Sequence, residues 1–112
     1  MNTRGCGVLL PLTSLPSRFG IGDLGPEAER FVRFLTDAGQ RYWQILPLTP
    51  TDPITDNNPY NSISAFALNP LLVSPELLAA DDLLDPDDLE GADPPGPDDA
   101  VDFDRVIHDK DR

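Results

Sequence analysis

Two short apolar runs in the first half of the chain are typical of buried β-strands. The first covers residues 7–10, where a glycine is followed by three aliphatic residues and Pro11 ends the run. The second covers residues 42–46 and stops at Pro47; Trp43 within it is expected to pack in the core. Because apolar residues occupy successive positions of the first run, we expect both faces of that strand to be covered, as in a parallel sheet.

A longer amphipathic stretch between the two runs predicts a helix over residues 26–38. Pro26 suits the first turn, where its missing N–H costs nothing, and Gly39 suits the position just after the last turn. Four apolar residues recur at the i, i+3, i+4 and i+7 spacing of one helical face: Phe31, Phe34, Leu35 and Ala38. Strand, helix and strand together predict a βαβ unit with parallel strands and a right-handed crossover.

Each predicted strand is followed by a polar, proline-containing loop: loop 1 covers residues 11–25 and loop 2 covers residues 47–64. In parallel α/β proteins, substrates meet the loops at the carboxyl ends of the strands. Loop 2 places the ring of Tyr60 among asparagine and hydroxyl side chains. This composition suits sugars, because a ring covers the apolar sugar face while amides bind the hydroxyls. The alternative is that Tyr60 anchors the loop and the asparagines shape its turns.

The second half of the chain carries weaker signals. Residues 67–73 predict a partly extended segment, and Ser74 predicts the cap of a short helix that follows it. Residues 81–104 are acidic and rich in proline, which predicts an exposed and irregular stretch. Apolar residues then return, and a helix is expected to begin near Asp104.

The negative charge of the chain is concentrated near its C-terminal end. The net charge is −12, and residues 81–112 hold thirteen acidic side chains against three basic ones. Such a surface repels phosphate groups, so we expect no nucleic-acid partner and no anionic membrane partner. Cys6 is the only cysteine. A single cysteine excludes an internal disulfide, fits a cytoplasmic location, and predicts a small core residue rather than a reactive thiol.

Two sequence features, a set of glycines and a single histidine, could suggest other chemistry but do not predict a second kind of site. Gly20, Gly22 and Gly25 fit the G-x-G-x-x-G spacing of a dinucleotide site, but that motif should directly follow a strand. We therefore expect these glycines to shape a tight turn into the helix, with Asp23 as its cap. His108 is the only histidine, and no metal site is predicted around it.

Three longer segments resemble one family of enzymes. Residues 13–25, 43–51 and 58–72 are similar, in the same order and at matching spacing, to segments of glycoside hydrolase family 77. This is the amylomaltase or disproportionating-enzyme family of 4-α-glucanotransferases. The resemblance covers about residues 5–80, and residues 101–106 look like the next recognisable segment of the family.

The resemblance implies an α/β fold of the (β/α)8 barrel type with inserted subdomains. A complete barrel needs roughly 250 residues, so we expect this chain of 112 residues to be an incomplete, N-terminal piece that supplies the first βαβ portion. Residues 1–80 are then the N-terminal part of the catalytic barrel. Residues 81–112 are an acidic segment that leads into an inserted subdomain or a truncated helix.

The implied activity is the transfer of α-1,4-glucan segments to glucose or another glucan by a retaining mechanism. Such a mechanism uses two carboxyl groups and no cofactor or metal. No acidic residue of this chain matches the catalytic carboxylates, which are expected beyond residue 112. Tyr60 matches the sugar-stacking residue of the family, and Asn58 stands where the family commonly has Ser. Both are assigned to the binding of a maltodextrin substrate.

Other functions remain open at this point. One alternative is a non-catalytic maltodextrin-binding module or an inactive remnant, and another is a related hydrolase of α-glucans. The sequence predicts no oligomeric state.

Overall fold

A pair of short parallel strands forms the sheet of this protein. The computed structural model describes residues 3–90 and 100–110. Strand β1 (Gly7–Leu9) pairs in parallel with strand β2 (Tyr42–Gln44). The predicted α/β order and the parallel pairing are confirmed. Both strands end earlier than predicted, because the next acceptor along β1, Leu10 O, binds the side chain of Trp43 and a 3₁₀ turn begins at Leu12.

Close approach of the strands explains the glycine at the start of β1. Gly7 lies opposite Tyr42, and Leu9 lies opposite Gln44. A Cβ on Gly7 would lie 2.7 Å from the backbone oxygen of Tyr42, so a larger residue would push the strands apart. The pairing extends one residue beyond β1, since Leu10 N donates to Gln44 O over 3.0 Å.

Helix α1 (Pro26–Asp37) connects the strands and begins and ends on the predicted signals. Its proline occupies the first turn, where no backbone N–H is needed. At the other end, Gly39 has a φ of 70° and its N donates to Thr36 O over 3.0 Å, while Gln40 N donates to Leu35 O over 2.9 Å. These two bonds form a Schellman motif, which confirms Gly39 as the C-terminal cap.

The main core lies between α1, the sheet and loop 1. Trp43 packs against this core. Its ring meets that of Phe31 edge to face with centroids 4.9 Å apart, and its Nε1 donates to Leu10 O over 2.9 Å. The predicted core role of Trp43 is therefore confirmed. The buried members of the main core are Leu12, Leu15, Ala28 and Leu72.

Part of the sheet and of α1 is open within residues 3–90 and 100–110. Leu9 is 59% exposed and Tyr42 is 58% exposed. The expectation that both faces of β1 are covered is therefore wrong for these residues. Phe34 of α1 is 62% exposed, so it lies outside the buried stripe of the helix. Cys6 is exposed, so the core position predicted for it is wrong; it directly precedes β1, and its backbone oxygen accepts from Arg41 N.

The segment after loop 2 contains a turn, so the partly extended structure predicted for residues 67–73 is found only on either side of it, where Asn69 and Val73 have extended backbone. A 3₁₀ turn covers Pro70–Leu72. Its proline has no N–H to give to a strand ladder. The side chain of Asn69 accepts from Leu71 N over 3.0 Å, which closes the turn and competes with an extended backbone.

Helix α2 (Pro75–Ala80) follows directly. Ser74 precedes it, and Ser74 Oγ accepts from Leu77 N over 3.4 Å. This contact confirms the predicted cap, in which a short hydroxyl side chain satisfies one of the free N–H groups of the first turn.

Helix α3 (Pro86–Glu90) lies within residues 81–104, which the composition predicted to be irregular. That prediction is wrong for α3 because two local signals start a helix there. Asp85 Oδ1 accepts from Asp87 N over 3.1 Å, and a proline occupies the first turn. Residues 91–99, which fall under the same prediction, lie outside the described residues.

Helix α4 (Phe103–Lys110) confirms the helix expected near Asp104. Its Val106 is 2% exposed and packs with Ile21 of loop 1 and Leu71 of the 3₁₀ turn in a second core cluster. The acidic segment, residues 81–112, is thereby joined to loop 1 through an apolar contact of α4.

Candidate functional site

Loops 1 and 2 leave the same edge of the sheet, because β1 and β2 are parallel. Loop 2 is shaped by its own hydrogen bonds. It contains the 3₁₀ turn Pro53–Thr55, which the side chain of Asp52 caps by accepting from Ile54 N over 2.9 Å. Asp56 and Asn57 follow with φ values of 53° and 54°. After glycine, asparagine and aspartate are the residues that best tolerate this left-handed region.

The tip of loop 2 is an asparagine-centred turn that presents an aromatic ring. Asn58 Oδ1 accepts from Tyr60 N over 2.9 Å, and Asn58 O accepts from Asn61 N over 3.1 Å. The ring of Tyr60 is not used to hold the loop, since the residue is 73% exposed. The asparagine therefore shapes the turn, as one sequence interpretation had it, while Tyr60 is left accessible to a ligand.

The base of loop 2 is closed by serine side chains. Ser62 Oγ lies 2.6 Å from Pro50 O and 2.9 Å from Ser64 O, and it also accepts from Ser64 N. Ser64 Oγ accepts in turn from Phe66 N and Ala67 N, over 3.3 Å and 3.1 Å. Short hydroxyl side chains thus replace a strand ladder as partners for this backbone.

Buried amides connect loop 2 to the segment that follows it. Asn57 is 9% exposed and Asn69 is 5% exposed. Thr51 lies between them: its Oγ1 donates to Asn57 Oδ1 over 3.1 Å and accepts from Asn69 Nδ2 over 3.4 Å. These side chains line a cleft of about 210 Å³ between the two loops, together with Thr13 and Ser14 of loop 1.

Loop 1 is built by close packing around its glycines. Gly20 has a φ of 78°. Gly22 N donates to Thr13 O over 3.1 Å, and a Cβ on Gly22 would overlap the backbone oxygen of Leu12. A Cβ on Gly25 would overlap Ser74 Oγ. The glycines therefore have the structural role that we expected, and the dinucleotide interpretation gains no support.

Asp23 is not the cap of α1, which corrects the sequence prediction. The N-cap position belongs to Gly25, which makes no side-chain bond. Asp23 is instead a buried residue of loop 1, 2% exposed, with its Oδ2 3.2 Å from Lys110 Nζ at the end of α4. Lys110 Nζ also donates to Leu71 O over 2.7 Å and to Val73 O over 2.9 Å. All three ammonium N–H groups therefore have partners.

This buried pair changes the acid–base behaviour of both side chains. Burial raises the pKa of Asp23 above its usual value, and the attraction of Lys110 only partly opposes that effect. Burial likewise lowers the pKa of Lys110, with Asp23 opposing the shift. For both groups, the loss of hydration outweighs the mutual attraction. Sequence reasoning missed this pair, because nothing in a local pattern joins an aspartate of a glycine-rich loop to a lysine 87 positions later.

Other kinds of site have no support in the described ranges, 3–90 and 100–110. No three side chains of His, Cys, Asp or Glu are grouped there so as to hold a metal ion. None of the helices there has the length and apolar character needed to cross a membrane.

The arrangement belongs to the class of α/β units whose ligands meet the loops at the carboxyl ends of parallel strands. Loop 1 at this edge is packed and loop 2 presents an exposed ring. The family model of glycoside hydrolase family 77, described as 4-α-glucanotransferase, matches residues 10–112. This chain belongs to that family, which confirms the resemblance found in the sequence.

Individual relatives match over most of this chain but over a small part of their own length. The 4-α-glucanotransferase of Synechocystis is 50% identical over 107 residues, which are 96% of this chain and 21% of that protein. The 4-α-glucanotransferase of Thermus thermophilus is 54% identical over 76 residues, 68% of this chain and 15% of that protein. This chain thus spans about a fifth of the length of the curated relatives that it matches.

A solved structure shares the fold of the described residues. The amylomaltase from Streptococcus agalactiae in complex with acarbose matches with a TM-score of 0.84 and 35% sequence identity. The match covers 96% of this chain and 23% of that structure.

Proposed function

We propose that this chain is part of a 4-α-glucanotransferase that moves α-1,4-glucan segments to glucose or another glucan with retention of configuration. The observation that carries the proposal is the family match over residues 10–112. The exposed ring of Tyr60, held on a turn at the edge where ligands meet parallel strands, supports it. We further propose that β1, α1 and β2 are the first βαβ portion of a (β/α)8 barrel.

Tyr60 and Asn58 are the residues of this chain to which we assign the substrate. The ring of Tyr60 stacks on the apolar face of a glucosyl unit. Asn58 uses its Oδ1 to hold Tyr60 N, which leaves the two N–H donors of its Nδ2 for a sugar hydroxyl. The two carboxyl groups of a retaining mechanism, about 5 Å apart, are expected in a part of the enzyme beyond residue 112.

The division into residues 1–80 and residues 81–112 is part of the same proposal. The first range supplies the barrel portion and the second leads into an inserted subdomain. Helix α4 belongs to the second range and packs on the first through Val106 and Lys110. A cytoplasmic location, which rests on the single cysteine, stays a prediction.

The proposal is tested on the complete protein encoded by the gene that contains this chain. Incubated with maltotriose, it should form glucose and longer maltodextrins while the number of reducing ends stays constant, because each glycosidic bond that breaks is replaced by another. A rising number of reducing ends would instead identify a hydrolase of α-glucans. Binding of maltotriose without turnover would identify a non-catalytic module. A protein that neither binds nor converts maltotriose would contradict the assignment to glucans.

The role of Tyr60 is tested by a pair of substitutions in the same protein. Tyr60→Ala removes the stacking ring and should lower kcat/KM for maltotriose at least about tenfold, the equivalent of ~1.4 kcal/mol. Tyr60→Phe keeps the ring and serves as the matched control, with kcat/KM close to that of the unsubstituted protein. Equal kinetics of the alanine variant and the unsubstituted protein would remove Tyr60 from the substrate site.

A further inference from the structure

The side chains of Asn69, Thr51 and Asn57 are joined by hydrogen bonds. Asn69 lies after loop 2, and Asn57 directly precedes the turn at the tip of loop 2. Asn69 is anchored at both ends, since its N donates to Leu48 O over 2.8 Å and its Oδ1 accepts from Leu71 N over 3.0 Å. Its Nδ2 then donates to Thr51 Oγ1, and Thr51 Oγ1 donates to Asn57 Oδ1. We call this chain of hydrogen bonds the Asn69–Thr51–Asn57 relay.

The donors and acceptors of the relay fit only one direction. Asn69 Oδ1 is occupied by Leu71 N, so Asn69 reaches Thr51 with its amide N–H group. A hydroxyl can accept one hydrogen bond and donate another. Thr51 therefore donates its single hydroxyl hydrogen to a hydrogen bond with Asn57 Oδ1. A side chain without a hydroxyl at this position would interrupt the relay.

The relay ends at the side chain of Asn57, in a turn whose backbone is left-handed. Asn57 has a φ of 54° and follows Asp56 at 53°, and its N donates to Asp52 O over 3.0 Å. Of the residues of loop 2, Asn57 is the one that is buried. The backbone of Asn57 is thus held through its N–H, and the bond from Thr51 fixes its buried side chain.

The direction of the Tyr60 ring is linked to the conformation of Asn57. Asn58 follows Asn57 in the chain, and its Oδ1 holds Tyr60 N. A change in the backbone at Asn57 would therefore move the turn formed by Asn58 and change the direction of the Tyr60 ring. The ring itself is 73% exposed and has little packing of its own to restore its direction.

We propose that Thr51 is a positioning residue, which acts through Asn57 to aim the ring of Tyr60 at the glucan. This inference rests on the proposed function of the chain and names a residue for which no sequence signal pointed to a role in substrate binding. It separates two tasks within loop 2: Tyr60 contacts the sugar, whereas Thr51 contributes only by fixing where that contact is made.

The test is a double-mutant cycle on the complete protein, with kcat/KM for maltotriose as the readout. Thr51→Val keeps the shape of the side chain and removes the hydroxyl, and it should lower kcat/KM roughly fivefold, mainly by raising KM. Thr51→Ser keeps the hydroxyl and should restore most of the loss. When Tyr60→Ala is already present, Thr51→Val should have almost no further effect, because the ring that it aims is absent.

Two further variants separate positioning from stability. Asn57→Gly removes the acceptor but favours the left-handed backbone, so the protein should remain folded while kcat/KM falls about as far as in Thr51→Val. Thr36→Val removes a hydroxyl of α1 that bonds Val32 O, and it should leave kcat/KM unchanged.

Three results would overturn the inference: unchanged kinetics in Thr51→Val, no rescue by serine, or an equal loss with and without the ring of Tyr60. These results are distinct from a failure of the proposed function. In that case the unsubstituted protein would transfer no glucan, or Tyr60→Ala would have no effect.

Discussion

Loops 1 and 2 start at the same edge of the sheet and are stabilised in opposite ways. Loop 1 is folded into both core clusters, whereas Asn57 is the buried residue of loop 2. The exposed apolar residues of loop 2 show the contrast, since Ile54 is 90% exposed and Ile63 is 80% exposed. The buried residues of loop 1 include Leu12, Leu15, Phe19, Ile21 and Asp23.

This difference decides which loop is available to a ligand. Apolar burial uses the side chains themselves, so a loop held in that way has few left to present. Side-chain-to-backbone hydrogen bonds use short polar residues such as Ser62 and Asn58 to fix the backbone. A larger residue such as Tyr60 is then free to face outward. This difference is consistent with the proposal that loop 2 binds the substrate and loop 1 supports it.

The buried ion pair between Asp23 of loop 1 and Lys110 of α4 offers the largest test of this contrast. Lys110→Met leaves the carboxylate of Asp23 buried without its partner, which should lower the free energy of unfolding by about 3–5 kcal/mol. The measurement is urea unfolding of the complete protein, with hydrogen exchange of loop 1 as a local readout. Arg33→Met is the control: its ion pair with Glu29 lies on the surface, and its loss should change stability by less than about 1 kcal/mol.

A double variant separates the charges from the packing. Because burial outweighs attraction in the pKa of both groups, Asp23→Leu combined with Lys110→Met should recover much of the stability lost in the single variant. Equal stability of Lys110→Met and Arg33→Met would show that the pair does not hold loop 1, and the contrast between the loops would then rest on apolar contacts alone.

A smaller loss of stability is expected from a substitution at Gly22, where the backbone of loop 1 lies against Leu12 and Leu15 of the same loop. In Gly22→Ala the added Cβ would overlap Leu12 O and lie 2.9 Å from Leu15 N, so the backbone must move. Overpacking of this kind typically lowers stability by about 1–3 kcal/mol. Ser14→Ala, at an exposed position of the same loop, should change it by less than about 0.5 kcal/mol. Thermal unfolding compares the two, and similar values for both would mean that loop 1 is not tightly packed.

The elements predicted correctly from sequence are those with local causes. Pro26 and Gly39 mark the ends of α1, and Ser74 marks the start of α2, through contacts that reach only a few residues along the chain. Within residues 67–73 the prediction failed for Pro70–Leu72, although the cause there was also local. A partly apolar pattern was given more weight than the asparagine–proline pair at positions 69 and 70, which starts a turn.

The candidate site could be predicted only in part. A ring among amides is visible in the sequence, but whether Tyr60 faces inward or outward depends on a turn that Asn58 closes. The Asn69–Thr51 bond joins residues 18 positions apart, and the Asp23–Lys110 pair joins residues 87 positions apart. Such contacts depend on the packed arrangement of several elements, and no periodicity or spacing encodes them.

The smallest expected effect concerns the base of loop 2. Ser62→Ala removes the hydroxyl that holds Pro50 O and the backbone of Ser64, which should lower stability by about 0.5–1.5 kcal/mol. Hydrogen exchange should rise within residues 47–64 and stay unchanged in residues 11–25, because the hydrogen bonds of Ser62 reach only Pro50 and Ser64, within loop 2. Faster exchange in both ranges would show instead that loop 1 depends on the polar base of loop 2, and burial would then no longer be the feature that distinguishes the two loops.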